Sequence, residues 1–126
     1  MSPKDQMRSA VETYLRAWAE KDKALFLSLF SEGASLEDPV GSPVHEGKEA
    51  LGAFWDRVAG LGLDMNGELH RLICCGNECL ADFTMRSTQS GMGRAVRIVD
   101  HFSFDSEGRF KSMRAFWDDG GMSTVP

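Results

Sequence analysis

This chain of 126 residues has one tyrosine, four prolines and three cysteines, no long apolar run and no surplus of positive charge. Fourteen Lys and Arg stand against nineteen Asp and Glu, giving a net charge of −5 and a pI near 5.1. A chain so charged is repelled by phosphate backbones, and no local basic cluster reverses the sign, so nucleic acid is excluded as a partner. No stretch approaches the ~20 apolar residues of a membrane-crossing helix, and the charges scattered through the first 23 residues rule out a signal peptide. The expectation is a soluble cytoplasmic protein with no membrane partner. Cys74, Cys75 and Cys79 fall in one segment. A disulfide framework is not expected in a reducing compartment, and adjacent Cys74 and Cys75 on a strand point to opposite faces, which a tetrahedral metal site cannot use. They read as packing residues, and neither a metal nor a cofactor is expected.

What is present is an ordinary globular composition, 42% hydrophobic and 26% charged, of a length that suits one domain spanning 1–126. Met7, Val11, Tyr14, Leu15 and Trp18 recur at three-and-four spacing on one face of a first helix, which turns Tyr14 inward. Asp22 is placed to cap a second helix through ALFLSLF, with SEGAS and Gly33 as its stop. A third helix lies within GKEALGAFWDRVAG and carries Leu51, Phe54, Trp55 and Val58 on one side. Between helices two and three, Pro39, Gly41 and Pro43 make LEDPVGSPVHEG an irregular loop entered by a short strand. From residue 63 the period changes to two, predicting strands at 63–75, 78–88, 95–105 and 109–117 separated by GNE, SGMG and DSEGR. Helices followed by hairpins give an α+β fold, three N-terminal helices packed on a curved antiparallel sheet that forms a cone-shaped pocket.

Along the third long strand Val96, Ile98, Asp100, Phe102 and Phe104 share a face, which puts a carboxyl group among apolar side chains. Such a carboxylate must pair with a cation or stay protonated, and no base shares its face. Protonated, it becomes a hydrogen-bond donor; a register one residue off would put it in solvent instead. Asp38, ahead of Pro39 in the loop, reads by spacing alone either as a turn residue bonding to backbone or as a carboxylate at the mouth of the cone. Tyr14 reads as a core aromatic or as a phenol facing the cavity. One phenol, one carboxylic acid and one carboxylate converging on an apolar cavity is equipment for proton abstraction beside a carbonyl. His45, His70 and His101 fall in the loop or on outward faces, where surface or structural roles are expected.

The segments ETYLRAWAEKD, LEDPVGSPVHEG, IVDHFSF and FKSMRAFW together resemble the bacterial ketosteroid isomerases of the nuclear-transport-factor-2-like (NTF2-like, SnoaL-like) superfamily, over nearly the whole chain. The resemblance implies Asp38 as general base, with Tyr14 and a protonated Asp100 as the oxyanion hole of a steroid Δ-isomerase. It implies a small-molecule steroid partner, no cofactor, and a homodimer through the convex face of the sheet. Trp18, Phe54, Trp55, Phe83, Met85, Val96, Phe102, Met113 and Trp117 are the apolar candidates for a steroid wall, several of them ordinary core. Other members of the superfamily are polyketide cyclases, dehydratases and non-catalytic binders, which stay open as alternatives. This chain lacks the further tyrosines that can back the catalytic one in family members, and Trp55 stands where one can occur, either donating to Tyr14, lining the pocket or packing in the core, the last being the simplest reading.

Overall fold

Ser2 begins the first helix by accepting from the Asp5 amide while Asp5 returns the bond to the Ser2 amide, with Pro3 at the first helical position. The computed structural model describes residues 2–125. Helix α1 (Pro3–Glu20) ends at Lys21, whose left-handed backbone (φ 57°) turns the chain into α2 (Lys23–Ser28), capped by Asp22 at the Leu25 amide. Strands β1 (Phe30–Glu37) and β2 (His45–Glu46) precede α3 (Lys48–Ala59). Then follow β3 (Asp64–Cys75), β4 (Glu78–Gln89), β5 (Met92–Phe104), β6 (Phe110–Phe116) and β7 (Met122–Val125).

The sheet runs β2-β1-β6-β5-β4-β3, with β7 also on β5. The hairpins from β3 to β6 are antiparallel, as the period-two pattern and turn residues require. Helices packed on one face of this curved, unclosed sheet make the fold α+β, as expected.

Two readings need correction. The second helix stops at Ser28, and SEGAS belongs to β1, where Phe30, Ala34 and Leu36 turn inward. A register shift between Phe30 and Ser35 interrupts the alternation, so the segment does not show a strand's period in sequence. The sheet is also not wholly antiparallel, because β1 lies parallel to β6. The short strands β2 and β7 were unforeseen. β5 is long enough for β6 to pair with residues 99–104 and β7 with 93–96 along the same edge.

The core lies between the concave face and the helices. Trp18 stacks on Trp55 at 4.0 Å, Phe26 touches both, and contacts continue through Phe30 and Phe110 to Phe102. Each of these aromatics removes ~150–250 Å² from water, which makes them the main source of stability on this side of the sheet.

Candidate active site

Strand β5 carries Asp100 into the concave face, where its cross-strand neighbours are Ala81 on β4 and Ala115 on β6. The register that would have put it in solvent is not adopted: Asp100 is 2% exposed. The two alanines beside it are the smallest side chains that could flank the carboxyl group there. Among the described residues no group hydrogen-bonds its Oδ1. Burial first, and then the negative charge of Asp38, push its pKa well above the usual carboxylate range, so the neutral acid is the favoured form.

Tyr14, 4% exposed, comes from the inward face of α1, with its ring edge-on to Phe102 at 5.4 Å and to Phe110 at 6.2 Å. Burial and the charges of Asp100 and Asp38 raise its pKa well above that of a free phenol, against which the neighbouring Trp18 indole pulls it down. The indole beside the phenol is therefore Trp18, one helical turn along α1. Trp55 is instead the stacking partner of Trp18.

Asp38 leaves the end of β1, half-buried, in a loop held at several points. The Val40 amide donates to the Ala115 carbonyl at 2.8 Å, next to Asp100 in the sheet. Glu37 accepts from the Gly41 amide and from Arg114, and the Ser42 hydroxyl donates to the Pro39 carbonyl. The Trp117 indole N–H donates to Asp38 Oδ1 at 2.7 Å. Burial raises the Asp38 pKa, while Trp117 and the nearby His45 lower it. An open cleft of about 470 Å³, lined by Val40, Arg97, Phe116, Trp117, Asp118 and Gly121, borders this loop.

Tyr14, Asp38 and Asp100 thus come from three distant segments into one electrostatic neighbourhood, with Asp38 acting on both of the other groups. Of the apolar wall candidates, Trp18, Phe54, Trp55, Phe83 and Met85 are buried in the core cluster, Phe102 and Met113 have no exposure, and Trp117 and Val96 are half-buried. Sequence reasoning missed two roles: the Trp117 hydrogen bond to Asp38 and the proximity of His45, whose ring lies 5.4 Å from Phe54. No signal for the first was available in the spacing, since Trp117 and Asp38 are 79 positions apart. Nothing in the spacing placed His45 near Asp38, because β2 is two residues long.

A family model for the SnoaL-like domain matches residues 11–113. The chain belongs to the SnoaL-like family. A curated relative, the steroid Delta-isomerase of Nocardioides simplex, is 31% identical over 121 residues, covering 96% of this chain and 97% of that protein. Among solved structures, the epoxide hydrolase/cyclase-like enzyme SalBIII of salinomycin pyran-ring formation superposes with a TM-score of 0.86 at 24% identity, covering 97% of this chain and 98% of that one. RV0760c of Mycobacterium tuberculosis gives 0.84 at 20% identity over 95% and 96% of the two chains. A computationally designed 17-OHP binder gives 0.82 at 21%, again over 95% and 96%. At these identities the solved SnoaL-like structures share the fold, and function rests on the residues of each site.

Proposed function

We propose that this chain is a steroid Δ-isomerase, converting 3-oxo-Δ5 steroids to 3-oxo-Δ4 steroids. The observation that carries the reading is Asp100, a buried carboxyl group flanked by alanines with one oxygen unpartnered, whose pKa burial and the charge of Asp38 push well above the usual carboxylate range. A neutral acid and a phenol in an apolar site are two donors for an oxygen that becomes negative. The curated isomerase relative supports the same choice.

In the reaction Asp38 takes the proton from the carbon between the ketone and the isolated double bond. The electron pair moves onto the ketone oxygen, forming a dienolate held by hydrogen bonds from Tyr14 and Asp100. Asp38 then returns the proton two carbons farther along, which leaves the double bond conjugated with the ketone. The two donors bind the dienolate more strongly than the neutral ketone, so they lower the barrier rather than merely the substrate's free energy. Protons and electrons balance within substrate and side chains, so no cofactor or metal enters the scheme. The raised pKa of Asp38 makes it a stronger base, and the Trp117 hydrogen bond keeps it ionised and aimed. Trp18, Phe54, Trp55, Phe83, Met85, Val96 and Trp117 are proposed to supply the steroid wall, with Phe102 and Met113 as its floor. We include in the proposal a homodimer through the convex face.

The test is the ultraviolet absorbance of the conjugated enone, followed with an isolated-enone steroid. Wild type is expected to turn it over. Asp38→Asn is expected to lose on the order of 10²–10⁴-fold in kcat while keeping affinity for a product-like steroid. Wild type without turnover but with steroid binding would make the chain a carrier. Failure of both points to a cyclase or dehydratase acting on another enolisable ketone.

A further inference from the structure

The tip of the β3–β4 hairpin holds three thiols that the proposed reaction does not use. Cys75 pairs with Glu78 across the two-residue turn Gly76-Asn77, and Cys74 pairs with Cys79. In a two-residue hairpin the closing pair is the hydrogen-bonded one, so Cys74 and Cys79 form the next, non-hydrogen-bonded pair. Such pairs have Cα atoms ~4.5 Å apart with both side chains on one face, within the range a disulfide spans without backbone movement. The two Sγ atoms lie 2.7 Å apart, beyond the ~2.05 Å of a bond, and all three cysteines are free.

We infer that Cys74 and Cys79 are a redox modification site, forming a reversible cross-strand disulfide by exchange with a low-molecular-weight disulfide. Cys74 is half-buried and Cys79 is buried, so the incoming reagent meets Cys74 first. The Cys74 thiolate attacks one sulfur of the reagent, forming a mixed disulfide and releasing one thiolate. Cys79 then loses its proton and attacks the Cys74 sulfur, releasing the second thiolate. Two electrons pass from the protein to the reagent, which leaves as two thiols. Burial, with Cys74 beside it, pushes the Cys79 thiol up to about 12, which suits it to the second step, where its target is held against it, and not to the first. Cys75 points to the opposite face and lies outside the pair.

The site is independent of the isomerase reading. Cys79 also reaches inward, with its sulfur 3.8 Å from Met7 of α1 and with Phe102 as its cross-strand neighbour on β5. The link therefore fastens the end of the sheet nearest the start of α1.

The experiment incubates native wild-type protein with oxidised glutathione, quenches with acid, alkylates the remaining thiols and cleaves after glutamate. Cleavage after Glu78 separates Cys79 from Cys74 and Cys75. Alkylatable thiols are expected to fall from three to one, at Cys75, with the two fragments joined through Cys74 and Cys79 and released by dithiothreitol. Cys75→Ser should keep the link. Cys74→Ser, checked for native circular dichroism, should lose it. Three alkylated thiols after oxidation, a stable glutathione adduct on Cys74, or a bond involving Cys75 would each overturn the proposal in the wild type, whatever the variants do.

Discussion

Asp100 ties the chemistry of the site to the stability of the fold. Its folded pKa lies above that of an unfolded aspartate, so between the two values the folded chain holds more protons than the unfolded one. The contribution of Asp100 to stability therefore falls as pH rises from ~4 through the folded value. Asp100→Asn removes this titration, and its stability relative to wild type is expected to increase from pH 5 to pH 8 in urea unfolding. A constant difference would mean that Asp100 does not titrate abnormally. In turnover, Asp100→Asn should exceed Asp100→Ala, because an amide still donates and a methyl group does not. A second residue prediction concerns Trp117. Its N–H stabilises the ionised form of Asp38, so Trp117→Phe should raise the Asp38 pKa further and move the acid limb of kcat/KM to higher pH. An unmoved limb would separate Trp117 from the base.

Among the elements, α1 packs closely on β3. A Cβ at Gly67 would lie 2.9 Å from Leu15 Cδ2, so the helix that carries Tyr14 sits against bare backbone there. Gly67→Ala is expected to destabilise by about 1–3 kcal/mol through overpacking, measured by thermal unfolding. An unchanged midpoint would mean that Leu15 simply rotates away. The period of α1, its capping box and the long hairpins were legible because each rests on local spacing or turn chemistry. Tyr14 and Asp100 were legible as inward residues for the same reason. Only the end of β1 was, as the short strand entering the Asp38 loop; its first half was not, since its alternation breaks at Phe30–Ser35 and its partner is β6, distant in sequence. Spacing left Asp38 open between a turn residue and a carboxylate at the mouth, because the strand pairing and the Trp117 bond that define its surroundings are non-local. The neighbours of His45 and Trp18 were not legible for a related reason, as spacing gives a residue's face and not the group opposite it.

At the scale of the molecule, the convex face carries Ile73, Leu80 and Phe116, each at least 39% exposed, among the ion pairs Arg97–Asp82 and Arg114–Glu37 and the hydrogen bond between His101 and Glu78. A face that mixes exposed apolar residues with fixed charges is suited to a two-fold contact with a second copy. Sedimentation is expected to give a dimer for wild type and a monomer for Leu80→Glu, which would set two negative charges against each other near the axis. A monomeric wild type at micromolar concentration would reject this interface.

The loop of Asp38 is held by a strand near the other end of the chain: Trp117 and Asp38 are 79 positions apart, and the Val40 amide waits for the Ala115 carbonyl. A growing polypeptide that has left the ribosome only as far as β5 already holds Tyr14, Asp38 and Asp100, yet only the local bonds of the loop hold the base, without Trp117 or the Ala115 carbonyl. Activity should therefore arrive late in synthesis, after β6 has been released and β1 has gained its parallel neighbour.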